Sequence, residues 1–294
     1  MNNTNFLNSS ITLIKSRKEI VFAVTWTATL ASIIAGRGFP PIYPTLLAIL
    51  AVMMLNLSAY IYNDTIDREM DAYSEQDKKK GRPIAHGVVS EKTAIRFVAL
   101  TGILGLISCY MISQITFSIG AVYYIILFMY SYPKIRFKTM YIVKNLVTSL
   151  VLPSAFFITG TAVEQSITFG TMFLASAYFI LTFALQPAGA DMLDYEEDLA
   201  FNVKTLGNTL SWKQNLVVFN IGILVIIGSG VAAYLMLGMS VLVPVFLTIV
   251  GVPVMAYSYK LRNESGLIAS YKLRPPGYVL VMLTPLIMSI GAIL

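Results

Sequence analysis

Six aspartates fall into two short segments that share one spacing: Asp64, Asp67 and Asp71, then Asp191, Asp194 and Asp198. Positions i, i+3 and i+7 lie on one face of a helix, so each segment is expected to present a stripe of carboxylates. Asn63 stands four residues before Asp67 and adds an amide oxygen to the first stripe. Such hard oxygen ligands suit Mg²⁺, which keeps waters and bridges a few carboxylates to substrate phosphates. His86 is the only histidine and Cys109 the only cysteine, so no ligand cluster suits zinc or iron. Two facing stripes could therefore hold two Mg²⁺ ions with a diphosphate between them.

The elements that must position these stripes are membrane spans. The chain of 294 residues is 56% hydrophobic and only 12% charged, with a mean hydropathy of +0.72. Soluble domains carry about 25% charged residues, so the composition is that of an integral membrane protein. Nine apolar runs are long enough to cross a hydrocarbon core about 30 Å thick. They cover 20–36, 43–62, 92–112, 114–133, 141–162, 168–190, 214–237, 240–260 and 277–294. The expected fold is thus an all-α bundle of nine transmembrane helices forming one domain over 1–294. No cleavable signal peptide is evident ahead of the first run.

Charge sets the orientation. Of 21 Lys and Arg, all but Arg37 fall in the N-terminal stretch and the alternate connections; of 15 Asp and Glu, all but Glu164 fall on that same side. The positive-inside rule then places the N-terminus and both Asp segments in the cytoplasm and the C-terminus outside, as nine spans require. The net charge of +6 is accounted for by topology, which leaves no case for nucleic-acid binding. A lone aspartate at a bilayer centre costs roughly 2.5–3.5 kcal/mol, so the six need compensation. The Asp segments begin 127 residues apart at the ends of the second and sixth runs, and an internal repeat of four helices is expected. Prolines in membrane helices are mostly structural, although Pro187, four residues before Asp191, stands where it could loosen the sixth helix as the ligands begin.

Cations suited to phosphate oxygens share that face. Arg82 follows the first segment and Lys204 the second, with Lys134, Arg136 and Lys138 between them. Lys78, Lys79 and Lys80 are read as topology residues near lipid headgroups. Tyr123, Tyr124, Phe128, Tyr130 and Tyr132 crowd the fourth run, and Tyr178, Phe179 and Phe183 the sixth. Their rings could shield an allylic cation, although helix packing explains any single one. A diphosphate head with an apolar tail fits a site polar at one end and open to lipid at the other.

Asn63-Asp64-x-x-Asp67-x-x-x-Asp71, Arg82-Pro83 with Gly87, Asp191-x-x-Asp194-x-x-x-Asp198 and Lys204-Thr205 together resemble the UbiA superfamily of intramembrane prenyltransferases. The resemblance covers essentially the whole chain, and nine helical spans match that family's fold. It implies Mg²⁺-dependent transfer of a prenyl group from a polyprenyl diphosphate to a lipophilic acceptor, either a quinone precursor or a glyceryl-phosphate lipid. Carried over by position, Asn63, Asp64, Asp67 and Asp71 would bind metal from one side, and Asp191, Asp194 and Asp198 from the other. Asp67, Asp71, Asp191 and Asp194 would be the catalytic carboxylates, with Asp191 the candidate base. Arg82, Lys204, Lys134, Arg136 and Arg17 would hold diphosphate oxygens. The expected location is the plasma membrane with the site at its cytoplasmic face, among lipids and with no obligate protein partner. The alternatives are a terpene cyclase using the same diphosphate site, and a cation or lipid transporter. The transporter would place polar residues deep in several spans, whereas polarity here gathers at one end.

Overall fold

The computed structural model describes residues 5–73 and 81–294, and every regular element among them is helical. Lys78, Lys79 and Lys80 lie outside the described residues. The long helices are α2 (Lys18–Ala35), α3 (Ile42–Ile66), α5 (Glu91–Ile112), α6 (Gln114–Ser131), α9 (Phe169–Leu185), α13 (Trp212–Leu237), α14 (Leu242–Lys260) and α15 (Gly266–Ile293). Shorter α-helices precede or join them: α1 (Phe6–Ser16), α4 (Arg68–Tyr73), α7 (Val143–Ser149), α8 (Pro153–Glu164), α10 (Ala190–Leu193), α11 (Tyr195–Ala200) and α12 (Leu206–Thr209), with 3-10 turns at Phe137–Thr139 and Leu261–Asn263. Among the described residues eight helices are long and apolar enough to cross a membrane, or nine if α7 and α8 count as one span. The protein is thus an integral, multi-pass membrane protein.

Local signals explain where the helices begin. The side chains of Ser90, Ser113 and Thr168 accept from the backbone N–H of Thr93, Thr116 and Thr171, capping α5, α6 and α9. Thr205 with Asn208 and Ser211 with Gln214 form reciprocal capping boxes that start α12 and α13 within a few residues of each other. The single run expected over 141–162 is broken: α7 and α8 meet at 44°. Pro153 opens α8 and has no N–H to continue the α7 ladder, which locates the break. The last span starts at Gly266, not at 277, and runs through Pro275 and Pro276. The carbonyls those prolines leave unpaired belong to Tyr271 and Lys272, both exposed residues near the end of the span.

The bundle closes on itself. The last span, α15, packs against the first, α2, while α3 packs on α2, α5, α6 and α8. One buried cluster joins α3, α6, α7 and α8, and another joins α9, α13, α14 and α15; α2 and α8 contribute to both. The α3–α5 contact is close because Gly105 faces Leu55, where a Cβ would lie 2.7 Å from the Leu55 Cδ2. Inside the bundle several polar groups pair across helices: Tyr123 donates to the Asn56 Oδ1 at 2.6 Å, and the Tyr124 and Ser58 hydroxyls pair at 2.8 Å. Pro285 cannot donate to the carbonyl of Val281, and the Tyr178 hydroxyl donates to it instead at 2.9 Å.

Candidate active site

Both Asp segments come together at one end of the bundle, around a cavity of about 920 Å³. Asn63, Asp67 and Asp71 line it from one side, and Asp191, Asp194, Glu197 and Asp198 from the other. Neither segment is the continuous helix face that its spacing predicts. Helix α3 stops at Ile66 with Asp67 as its C-cap, and α4 starts at once. Likewise α10 stops at Leu193, Asp194 caps it, and α11 follows. The two middle aspartates adopt nearly the same backbone conformation, φ −95°, ψ 14° at Asp67 and φ −94°, ψ 7° at Asp194. That bridge region is sparsely populated in general and recurs at active sites. The i to i+4 ladder crosses each break, since Asp71 N donates to Asp67 O and Asp198 N to Asp194 O, both at 2.8 Å. Each stripe therefore turns about its middle carboxylate while keeping its outer two in register.

The sixth run breaks where Pro187 is placed. Helix α9 ends at Leu185, the chain turns through Gln186 to Gly189, and α10 carries Asp191. Gly207 packs directly under that aspartate. A Cβ on it would lie 2.4 Å from the Asp191 Cβ and 2.8 Å from the Pro187 carbonyl oxygen.

Every aspartate of the first segment meets a cation. Arg17, which closes α1, pairs with Asp64 through Nε and Nη2. Arg82 spans Asp64 at 2.6 Å and Asp71 at 2.5 Å. Lys138 pairs with Asp67, and Arg136 approaches the same oxygen at 3.8 Å. Asn63 donates to the other Asp67 oxygen at 2.5 Å and to the Ser131 hydroxyl oxygen at 2.9 Å. The Arg17 guanidinium also lies over the Tyr60 ring, 5.2 Å from its centroid. Burial and the neighbouring Arg82 pull Arg17 down to about 9, so it stays charged at neutral pH. Burial likewise lowers Lys138, against the pull of Asp67.

The second segment is held chiefly by two residues far from it in sequence, Lys144 and Asn145. Lys144 lies 2.8 Å from Asp198 and 3.5 Å from Asp191. Asn145 donates to the Asp191 Oδ2 at 2.7 Å and to the Gln186 Oε1 at 3.0 Å, and the Gly207 N–H donates to the same Asp191 oxygen at 3.2 Å. Gln186 in turn donates to the Ser149 hydroxyl at 2.6 Å and accepts from Thr148 at 2.7 Å. Lys144, Asn145, Thr148 and Ser149 all belong to α7. Ile142 precedes α7 at φ 66°, a conformation costly for a β-branched residue, on the order of 1–3 kcal/mol. Burial pushes the Asp198 carboxyl up to about 6, although Lys144 opposes the shift.

Some expected members of the site stand elsewhere. Lys204 and Lys134 are exposed and do not line the cavity; Arg136 is partly exposed and meets it only through Asp67. Asp64 sits behind the lining, 1% exposed, held by Arg17 and Arg82. As for Asp191 as a base, Oδ2 already accepts two hydrogen bonds and Oδ1 faces Lys144. Of the aromatic candidates only Tyr130 lines the cavity; Tyr60, Phe219 and Tyr278 line it from elements that aromatic crowding does not single out. Tyr123, Tyr124 and Tyr178 are committed to the packing bonds above, and Phe128 stacks on Tyr62. Away from the carboxylates the walls are apolar: Ile20 and Ala23 of α2, Leu152, Leu185, and Leu273 and Val281 of α15.

Among the described residues no three His, Cys, Asp or Glu side chains converge as a metal cage. That dispersion fits Mg²⁺ shared between a few carboxylates, waters and a phosphorylated ligand, and not a metal held by protein alone. The buried Asp67 Oδ1 adds an acceptor whose close partner is the Lys138 ammonium. The cavity can thus take an anionic head at its charged end and an apolar chain along its walls.

The model of the UbiA prenyltransferase family matches residues 24–273. A 4-hydroxybenzoate octaprenyltransferase of Shewanella denitrificans is 27% identical over 180 residues, covering 61% of this chain and 59% of that protein. One of Legionella pneumophila is 26% identical over 201 residues, covering 67% and 68%. The chain thus spans about three-fifths of the length of the first of these relatives. A solved digeranylgeranylglyceryl phosphate synthase superposes with a TM-score of 0.78 at 18% identity, over 99% of both chains. A UbiA homologue from Archaeoglobus fulgidus bound to GPP and Mg²⁺ gives 0.63 at 16% identity, over 95% of this chain and 99% of that one. These structural likenesses carry the fold.

Proposed function

The chain belongs to the UbiA prenyltransferase family, and from that premise we propose that it transfers a prenyl group from a polyprenyl diphosphate to a lipophilic acceptor. The reaction uses Mg²⁺ and releases diphosphate. The observation that carries this reading is the single cavity with two aspartate stripes and their cations at one end and apolar walls at the other. Asn63, Asp67 and Asp71 would hold Mg²⁺ from one side, and Asp191, Asp194 and Asp198 from the other. When bound, Mg²⁺ neutralises charge that builds on the leaving diphosphate.

The chain's own residues do the rest. Arg17, Arg82, Lys138 and Lys144 bind phosphate oxygens as the allylic C–O bond breaks and its electron pair leaves with the diphosphate. The Tyr60 and Tyr130 rings flank the prenyl carbon and exclude water. A bond then forms between that carbon and the acceptor, which loses a proton. A quinone precursor is one acceptor class, in keeping with the aromatic acid 4-hydroxybenzoate named for the similar octaprenyltransferases; a glyceryl-phosphate lipid is the other, in keeping with the solved synthase.

The topology belongs to the same reading: one domain over 1–294, nine spans with α7 and α8 as the fifth, N-terminus cytoplasmic and C-terminus outside. The active end then faces the cytoplasm at the plasma membrane, in keeping with the one-sided placement of Lys and Arg. The test is turnover of C10 to C20 prenyl diphosphates with aromatic and glyceryl-phosphate acceptors, read by mass spectrometry. Asp67→Ala and Asp194→Ala should each lose about 10²–10³-fold in turnover, the scale of a removed charge-stabilising group. Near wild-type turnover in either variant sinks the two-sided site. Product formed without any acceptor points to a cyclase.

A further inference from the structure

The two aspartate stripes are restrained by the same device, built from unrelated parts. In each, one cation spans the first and third aspartates. Arg82 bridges Asp64 and Asp71, and Lys144 bridges Asp191 and Asp198. Arg82 follows its stripe in the chain, whereas Lys144 precedes its own by 47 residues before Asp191. The four aspartates are between 1% and 3% exposed, so water does little to screen these contacts.

We infer that Arg82 and Lys144 are resident counter-cations that hold the stripes closed to divalent metal until diphosphate arrives; the inference rests on the magnesium–diphosphate reading above. A divalent ion that enters alone must take carboxylate oxygens from a guanidinium or an ammonium. The displaced cation is then left partly buried and short of counter-charge, which is costly. Diphosphate removes that cost, because its oxygens are good partners for both Arg and Lys. The cations move from carboxylate to phosphate, and the freed aspartate oxygens become ligands. Metal and diphosphate therefore enter as a strongly cooperative pair, each raising the affinity for the other by the same factor.

Equilibrium dialysis of the purified full chain against Mn²⁺, with and without inorganic diphosphate, tests this directly. The wild-type chain should retain Mn²⁺ at least about tenfold more tightly when diphosphate is present. Lys144→Met should retain Mn²⁺ alone at least about tenfold more tightly than wild type, and Lys144→Arg should behave as wild type. Wild-type retention of Mn²⁺ that is equally tight in both conditions overturns the inference and leaves the metal site standing. No retention in either condition overturns both. A Lys144→Met chain that folds and binds Mn²⁺ alone no better than wild type also overturns it; should that variant not fold, the wild-type pair of measurements decides.

Discussion

At the scale of single residues, the two stripes draw their cations from different parts of the chain: Arg17, Arg82 and Lys138 pair with the first, and Lys144 pairs with the second. Aspartate spacing marks both stripes because the residues are close together in sequence and out of place beside apolar runs. Lys144 and Asn145 leave no comparable trace. They lie inside an apolar stretch that reads as a span, and the aspartates they hold are 46 to 54 residues away. A single Lys near the end of a span is ordinary as a topology signal, so nothing local marks its role. Asn145 is fully buried and uses its amide to orient Asp191, leaving only Oδ1 toward Lys144. Asn145→Leu should lower turnover about 10–100-fold, the usual loss when the partner of a ligating group is removed. Steady-state kinetics over a magnesium titration should show the half-saturating concentration rising in the same variant. Unchanged magnesium dependence would reduce Asn145 to a packing residue. Lys204 and Lys134 teach the converse: their positions along the chain suit phosphate, yet both stand in solvent beyond the cavity.

At the scale of elements, the long helices are readable because apolar length and a capping Ser or Thr are local properties. Pro187 marks the break in the sixth run, but the other interruptions escape. The 44° bend between α7 and α8 delivers Lys144 and Asn145 to the second stripe, but the apolar composition of 141–162 runs straight through it. Pro153 signals that a helix ends near there, without saying that the preceding turn re-enters the site. The breaks at Asp67 and Asp194 are hidden for another reason: their i to i+4 hydrogen bonds continue, so helical spacing persists across them. Proline in the last span is also readable. Pro285 implies a carbonyl without a partner, and the structure supplies Tyr178 from α9. Tyr178→Phe should cost about 1 kcal/mol, the scale of a polar contact between membrane helices. A denaturation series in mixed micelles would measure it, and turnover at low denaturant should be unaffected.

At the scale of the whole molecule, composition announces a membrane bundle, and the charges, gathered at one end, announce where its chemistry sits. The span count is less plain, since the fifth crossing exists only if two bent pieces are taken together. Because cations of the chain itself balance the stripes, the fold should not depend on metal. Chelation with EDTA should abolish turnover yet leave the thermal unfolding midpoint within a few degrees of its value in magnesium. A large drop would mean that the metal, and not Arg17, Arg82, Lys138 and Lys144, supports the charged end. That self-sufficiency bears on how the chain is made. Ribosomes deliver it from the N-terminus, so Arg17 is present before Asp64 emerges and Lys144 before Asp191. Each stripe thus meets a cation already in place as it reaches the bilayer, and a newborn chain can bury its aspartates without waiting for an ion from solution.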